Sequence, residues 1–178
     1  MSKKKRVDVE ASKKKHMDME LDILKLPMVE FIKVRGLQIR NFNRNQDTKL
    51  LVNLFNTVWK ESGGPTVTLT EDVAQNLPED HVLIAEFERE AVGYVIFDVM
   101  EEEGEKKGVI KFIGVLKAQR GKKIASALAF RAGEYLLRYG VKKIKTLIPA
   151  KNKNALDFIQ YFGFEKKEEK DYTPKFPS

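Results

Sequence analysis

The chain has 178 residues, of which 42% are hydrophobic and 10% aromatic, so we expect one folded domain with a sizeable core. It contains no cysteine, which excludes disulfides, thiolate nucleophiles and cysteine-ligated zinc. The formal net charge is +7, but residues 1–16 hold seven Lys and Arg residues against only Asp8 and Glu10, so the rest of the chain is close to neutral.

The first 30 residues divide into two segments. Residues 1–16 are basic with almost nothing to bury, so we expect them to be disordered. Their lysine clusters are typical of a nuclear-targeting or nucleic-acid tail, whereas His16-Met17 resembles a cloning junction and favours an expression-derived leader. Residues 17–30 are predicted to form an N-terminal arm, either a docking arm or a short helix. No apolar run is long enough to span a bilayer, and the sequence predicts a cytoplasmic protein.

Residues 31–178 are predicted to form a single domain in which strands and helices alternate. The predicted elements are a strand over 31–42, a helix capped by Asp47 or Thr48, a short helix over 71–76 capped by Thr70, strands over 82–88, 91–100 and 109–116, a helix from Ile124, a strand over 143–148, a helix from near Asn152 and an edge strand over 164–172. The three central strands are joined by short links, which favours an antiparallel meander within a mixed α/β fold.

A basic glycine turn separates the strand that ends at Leu116 from the helix that begins at Ile124. It reads Lys117-Ala118-Gln119-Arg120-Gly121-Lys122-Lys123. The first N–H groups of a helix lack internal partners and carry the positive end of the helix dipole. Gly121 allows close approach of an anion, and the neighbouring cations add attraction. The turn therefore predicts a phosphate site, with a solvated basic turn as the alternative.

Two motifs in this order resemble the GCN5-related N-acetyltransferase (GNAT) family. The family's acetyl-CoA motif is Arg-Gly-x-Gly-Ile-Gly or Ala, and the chain has Arg120-Gly121-Lys122-Lys123-Ile124-Ala125. The family's later helix motif is Asn-x-x-Ala-x-x-Phe-Tyr-x-x-x-Gly-Phe, which the chain matches at Asn152, Ala155, Phe158, Gly163 and Phe164. The resemblance implies a mostly antiparallel, twisted sheet with about four helices and one parallel pair of strands that splay apart.

The resemblance also implies where acetyl-CoA binds. Its pantetheine arm would lie between the splayed strands against backbone groups of Val115 and Lys117, and the Val115 N–H would polarise the acetyl carbonyl. The pyrophosphate would bind at residues 120–125. The complete set of implied cofactor residues is Val115, Lys117, Arg120, Gly121, Lys122, Lys123, Ile124, Ala125, Asn152 and Phe158.

The implied reaction is direct transfer of acetyl from acetyl-CoA to a primary amine, without a metal. Ile159 stands where the family often has a tyrosine acting as general acid, and Tyr161 lies on another side of that helix. The nearest carboxylates for a general base are Glu103 and Glu105, in the link before the strand. Amino acids, polyamines, protein amino groups and antibiotics stay open as acceptors, whose side of the site the loop over 62–69 and the chain's end would shape.

Two other functions remain alternatives to the acetyltransferase. A catalytically silent acyl-CoA sensor is suggested by Ile159. A basic nucleic-acid-binding module is suggested by the glycine turn and the lysines over 142–145.

Overall fold

Seven strands form one mixed sheet in the computed structural model, which describes residues 14–25, 33–63 and 67–177. The strands are β1 (Lys14–Asp22), β2 (Leu37–Asn41), β3 (Val82–Phe87), β4 (Glu90–Glu102), β5 (Glu105–Val115), β6 (Lys143–Pro149) and β7 (Glu165–Tyr172). The α-helices in these ranges are α1 (Arg44–Ser62), α2 (Glu71–Asn76), α3 (Ile124–Arg138) and α4 (Lys153–Tyr161).

The strand order is β2-β3-β4-β5-β6-β1-β7, and every neighbouring pair is antiparallel except β5 and β6. This confirms the predicted mixed α/β fold with a meander and one parallel pair. The glycine turn leads from β5 into α3, and α3 returns the chain to β6, as expected for a parallel crossover.

The N-terminal segment corrects one prediction. Residues 14–16, assigned to the disordered leader, and residues 17–22, assigned to an arm or helix, form β1 between β6 and β7. Met19 and Leu21 are buried in the core while Glu20 faces the other side, a period of two that fits a strand. Residues 23–25 of the predicted arm form one 3-10 turn. The rest of the predicted leader, residues 1–13, and of the arm, residues 26–30, lies outside the described residues.

The helices cover the two faces of the sheet in separate layers. α1 and α2 pack on one face around Phe55, Tyr94 and Phe112. α3 and α4 pack on the other face, where Leu128 and Leu156 belong to the second of two core clusters. Both clusters are apolar because the strands between them are buried on both faces.

Local boundaries differ from the predictions by a few residues. Asn43, rather than Asp47 or Thr48, caps α1, and its side chain accepts a hydrogen bond from the Asn45 N–H. The predicted cap of α2 at Thr70 is confirmed. β2 is shorter than the strand predicted over 31–42, whose first two residues lie outside the described ranges.

A buried carboxylate joins α1 to the sheet. Asp47 accepts two hydrogen bonds from Arg40, at 2.6 and 3.0 Å, and one from the Asn43 N–H at 2.8 Å. Arg40 also donates to Glu86 at 2.7 Å. Burial alone would raise the pKa of the Asp47 carboxyl, but the hydrogen bonds from Arg40 and Asn43 outweigh it and hold the pKa below its ordinary value.

We predict that Asp47→Asn lowers the free energy of unfolding at pH 7 by about 2 to 3 kcal/mol, because it breaks a buried, hydrogen-bonded ion pair. A lowered folded-state pKa contributes stability above the unfolded pKa of about 3.9, and that stability is lost as the pH falls through the folded pKa. Urea unfolding at several pH values should therefore show a steeper acid loss in the parent protein than in the variant. Asp157→Asn, at an exposed position, is the control and should leave both quantities nearly unchanged.

We predict a second effect at Gly114, where α1 crosses β5 closely. A Cβ atom there would lie 2.5 Å from the Val58 Cγ1 and 3.0 Å from the Tyr94 Oη. Gly114→Ala should lower the free energy of unfolding by about 1 to 3 kcal/mol through overpacking. Val58→Ala creates space, so the double variant should lose less stability than the sum of the two single losses. Strict additivity in thermal or urea unfolding would contradict the close contact.

Candidate functional site

β5 and β6 separate along their length. Their parallel pairing runs from Lys107 with Lys143 to Ile110 with Thr146, and it ends there. The Thr146 hydroxyl donates to the Ile110 carbonyl at 3.1 Å, beside the last pair. Beyond this point β5 continues to Val115 and β6 to Pro149, and a cavity of about 850 Å³ opens between them.

A β-bulge coincides with the separation. On β4, the neighbours Phe97 and Ile96 pair with Ile110 and Phe112 of β5, so Lys111 is an extra residue. A bulge of this kind bends its strand and increases the local twist. Sequence patterns do not predict this bulge, since the run from Val109 to Leu116 contains no proline and only Gly114 as a break.

The bulge sets which backbone groups face the gap. Past it, the Leu116 N–H donates to the Val92 carbonyl at 2.9 Å. Because hydrogen bonding alternates along an antiparallel pair, Gly114 also bonds toward β4, whereas Ile113 and Val115 direct their backbone groups toward β6. β6 has diverged here, and Ile113 lines the cavity, whereas Val115 is absent from the cavity wall and its carbonyl accepts a hydrogen bond from Arg120.

The amino terminus of α3 lies directly after the turn at the end of β5. Its cap residue, Lys123, supplies no side-chain hydrogen bond, and its first turn contains no acidic residue. The other three α-helices in the described ranges are each capped by a side chain, from Asn43, Thr70 and Asn152. The first backbone N–H groups of α3 are therefore the ones positioned to donate hydrogen bonds to an anion.

Backbone conformation in the turn explains its two unusual residues. Gly121 has φ 81° and Lys123 has φ 62°, both in the left-handed region. Lys123 stands at the second glycine of the family motif, and its conformation is the one a glycine adopts without strain. A Cβ at Gly121 would touch nothing within 4 Å, so the space beside the turn is open.

The side chains of the turn divide into two groups. The Arg120 guanidinium donates to the Val115 carbonyl at 3.0 Å and to the Ser62 hydroxyl at 3.1 Å, so it ties the turn to β5 and α1. Lys122 donates to Gln119 at 2.6 Å and lies 4.7 Å above the Phe87 ring. The Arg120 guanidinium, which was expected to bind phosphate, therefore makes its hydrogen bonds within the protein.

Two further predicted residues have structural contacts of their own. The Lys117 N–H, expected to meet the pantetheine arm, donates to Glu61 of α1 at 2.7 Å. Asn152 lines the cavity, but its side-chain oxygen accepts from the Ala155 N–H and caps α4. Of the predicted cofactor residues, Ile124 has its side chain in the core and Ala125 packs against the core, which leaves only their backbone for the predicted role.

In the later helix motif, the positions expected to serve cofactor binding and catalysis pack in or against the hydrophobic core. Phe158 packs against the core, with its ring 5.1 Å from Phe162, and it is absent from the cavity wall. Ile159 is only 3% exposed, within the same cluster. Tyr161 is 78% exposed, so it cannot replace the missing tyrosine acid.

The structure corrects the candidate bases. Glu103 lies in the hairpin turn between β4 and β5, and Glu105 begins β5. Ten residues of extended strand separate Glu105 from Val115, a distance of roughly 33 Å. Neither carboxylate reaches the gap.

Sequence reasoning missed most of the cavity wall. The wall includes Trp59 of α1, Tyr94 of β4 and Tyr172 of β7, which are far apart in the chain. Burial raises the pKa of the Tyr94 phenol, while the Trp59 indole N–H lowers it by a smaller amount, so the phenol stays protonated at neutral pH. In the sequence these aromatic residues follow ordinary core patterns, so only the fold identifies them.

The end of the chain also borders the cavity, as the family resemblance implied. Pro174 lines the wall, and the Phe176 ring lies 4.7 Å from Phe112 and 5.3 Å from Phe55. The segment after β7 thus crosses to the α1 face. Of the loop expected over 62–69, residues 64–66 lie outside the described residues.

Within the ranges that the structure describes, no helix is long and apolar enough to cross a membrane.

The structural comparison finds solved proteins of the same fold. A GCN5-related N-acetyltransferase from Sphaerobacter thermophilus matches with a TM-score of 0.68 and 19% identity over 88% of this chain, which spans 50% of that protein. An aminoglycoside acetyltransferase from an uncultured soil metagenomic sample has a TM-score of 0.66 and 18% identity over 80% of this chain and 100% of its own. Arabidopsis thaliana Naa50, solved with the bisubstrate analogue CoA-Ac-MVNAL, has a TM-score of 0.61 and 19% identity over 75% and 85% of the two chains.

A comparison with curated protein sequences gives no significant match. The model of the acetyltransferase (GNAT) family matches residues 49–164, a range that runs from α1 through the glycine turn to the end of the later helix motif. The separated strands, the uncapped start of α3 and this match agree with one another, and the chain belongs to the acetyltransferase (GNAT) family.

Proposed function

We propose that this protein transfers the acetyl group of acetyl-CoA directly to a primary amine. Family membership establishes the acyltransferase class, and the proposal adds the donor, the acceptor group and the residues involved. The observation that carries it is the cavity between the diverging strands β5 and β6, together with the uncapped amino terminus of α3, which follows β5 along the chain through the glycine turn.

Two features of the gap support binding of acetyl-CoA. The amides of Ile124 and Ala125, with the open space beside Gly121, are placed to receive a pyrophosphate. An extended pantetheine arm has amide groups of its own, so it would pair with the backbone of Ile113, which lines the cavity, as an added strand does. Lys122 and Lys123 add positive charge at the same end of the gap.

The donor supplies a thioester carbonyl that an amine can attack. The amine nitrogen forms a bond to the acetyl carbon while the carbon–sulfur bond breaks, and the sulfur leaves with the bonding electrons as a thiolate. One proton passes from the nitrogen, through water, to the sulfur. The Val115 N–H, held at the end of β5, would stabilise the carbonyl oxygen as it gains charge. Holding both substrates in one cleft contributes on the order of 7 to 11 kcal/mol in favourable cases.

The names of solved relatives are consistent with an amine acceptor. One is an aminoglycoside acetyltransferase, and another, from Brucella melitensis biovar Abortus 2308, is a ribosomal-protein-alanine N-acetyltransferase with 20% identity. The acceptors in these two names differ from each other. The relatives therefore support the type of reaction but do not identify the acceptor of this protein.

We predict that the purified protein binds acetyl-CoA in isothermal titration calorimetry and releases free thiol when amines are added. A silent titration at high micromolar acetyl-CoA would refute the proposal. Binding without thiol release across an amine panel would favour the acyl-CoA sensor that Ile159 suggests. Salt-sensitive gel shifts with DNA or RNA, in place of acetyl-CoA binding, would favour the nucleic-acid-binding module.

We also predict that charge at the start of α3 matters more for affinity than charge at its end. Lys123→Gln should weaken acetyl-CoA binding about tenfold, because it removes a cation beside the predicted pyrophosphate site. Arg138→Gln is the matched control, since it removes one cation from the other end of the same helix, roughly 22 Å away. It should change the affinity less than twofold. Equal losses would indicate general charge attraction.

A further inference from the structure

The acetyl carbonyl oxygen gains negative charge when an amine attacks the thioester, and the inference below rests on that proposed function. Such charge is stabilised most by a hydrogen-bond donor that is already in position and shielded from water. The family resemblance puts a tyrosine on α4, but this chain has Ile159 there, buried in the core. A side-chain donor for the thioester therefore has to come from another element.

Tyr94 of β4 reaches across β5 toward the gap. It is paired with Gly114 of β5 in the antiparallel ladder. A Cβ atom on Gly114 would lie 3.0 Å from the Tyr94 Oη and 3.1 Å from its Cζ, so the hydroxyl lies directly over the β5 backbone. Neighbouring strands are about 4.8 Å apart, and the phenol ring spans that distance. The glycine at position 114 leaves the space that the hydroxyl occupies.

The phenol is fixed in this position by α1. The Phe55 ring lies 5.2 Å from the Tyr94 ring, and the Val58 Cγ1 lies 2.5 Å from the same Cβ position on Gly114. Tyr94 is only 1% exposed, and it lines the cavity that also borders Ile113. A guest in the cavity therefore meets a hydroxyl whose orientation is set before the guest binds.

The Tyr94 hydroxyl is a donor that keeps its proton. Burial raises the pKa of the phenol, and the Trp59 indole N–H lowers it by a smaller amount. An ordinary phenol has a pKa of about 10 and an ordinary thiol about 8.5, so full proton transfer from this buried phenol to a leaving thiolate is unfavourable. A hydrogen bond to the carbonyl oxygen needs no such transfer, and the apolar surroundings strengthen it.

Two other hydroxyls on the cavity wall already donate to backbone carbonyls. The Ser62 hydroxyl donates to the Val58 carbonyl at 2.8 Å, and the Thr146 hydroxyl donates to the Ile110 carbonyl at 3.1 Å. Among the described residues, no carbonyl or side chain accepts a hydrogen bond from the Tyr94 hydroxyl. Tyr94 thus has a proton to offer to a guest.

The remaining donors on the wall lie away from Gly114. His16 and Tyr172 belong to β1 and β7, which are separated from β5 by β6. Lys151 and Lys153 lie at the start of α4, on the opposite face of the sheet from α1. Their positions favour contacts with other parts of a bound guest.

We propose that the Tyr94 hydroxyl donates a hydrogen bond to the acetyl carbonyl oxygen in the transition state and is a catalytic residue of the transfer. As the nitrogen bonds to the acetyl carbon, an electron pair of the carbonyl moves onto its oxygen, where the hydroxyl stabilises it. The pair returns when the carbon–sulfur bond breaks and the sulfur leaves as a thiolate. The proton from nitrogen reaches the sulfur through water, and the Tyr94 proton stays on its own oxygen.

Tyr94→Phe tests this role because it removes the hydroxyl and keeps the ring. With acetyl-CoA and the best amine among leucinamide, spermidine, kanamycin and Nα-acetyl-lysinamide, kcat should fall about 100-fold, the usual effect of losing one such donor. The Kd for acetyl-CoA in calorimetry should change less than twofold. Unchanged kcat, or a loss confined to Kd, would overturn the inference.

Infrared spectra of the bound thioester give a readout other than turnover. Difference spectra with acetyl-CoA labelled with carbon-13 at the acetyl carbonyl isolate that carbonyl band. The band should lie at lower frequency in the parent protein than in Tyr94→Phe, because a hydrogen bond weakens the carbonyl double bond. Identical bands would contradict a contact with the carbonyl oxygen.

Two further variants separate the hydroxyl from packing. Tyr161→Phe is the matched control, since it removes a phenol hydroxyl from a side chain that is 78% exposed, and its kcat should stay within twofold of the parent. Replacement of Tyr94 by 3-fluorotyrosine keeps the hydroxyl and should retain at least half of the parent kcat. A fluorotyrosine protein as slow as Tyr94→Phe would indicate a packing defect and would overturn the role.

The outcomes distinguish this inference from the proposed function. Normal turnover in Tyr94→Phe would overturn the role of Tyr94 and leave acetyl transfer in place. Failure of the parent protein to bind acetyl-CoA, or binding without turnover of any amine, would refute the proposed function and the inference with it.

Discussion

The separation of β5 from β6 is the feature on which the site depends. A strand inside a sheet normally pairs on both sides, and backbone groups left without partners away from water cost free energy. Here the bulge at Lys111 bends β5, and pairing with β6 stops at Ile110. Ile113 then lines a cavity, where we propose that an extended ligand with its own amide groups pairs with its backbone. The sheet thus gives up a few strand hydrogen bonds and gains a binding cleft.

The position of α3 depends on where β5 ends. β5 ends at the turn, the turn opens α3, and the helix starts without a capping side chain. Keeping Lys123 in the left-handed region costs on the order of 1 kcal/mol relative to glycine. Arg120 offsets this strain by fixing the turn to Val115 and Ser62. The motif's arginine therefore positions the proposed anion site, for which the helix amides and neighbouring lysines would provide the positive charge.

The proton chemistry of the site follows from what surrounds it. Ile159 is part of the core, and Glu103 and Glu105 lie at the far end of β5, so none of these groups can move a proton at the gap. The α1 side is instead enclosed by rings such as Trp59 and Phe112.

The sequence by itself determined the elements and the motif. The helix from Ile124, the cap at Thr70 and the strand order of the meander follow from periodicity, capping residues and short links, which act over a few residues. Such signals depend on residues that are close in the chain, so they can be recognised before the fold is known. They located the glycine turn that we propose binds an anion.

Tertiary structure decided the rest, because it depends on which segments meet. The prediction for the β1 segment is wrong because a short alternating segment forms a strand only where neighbouring strands pair with it, here β6 on one side and β7 on the other. The Arg120 contacts depend on α1, and the cavity wall combines residues as distant as Trp59 and Pro174. Long-range packing carries no periodic signature along the chain, so the shape and charge of the acceptor side emerged only from the folded sheet.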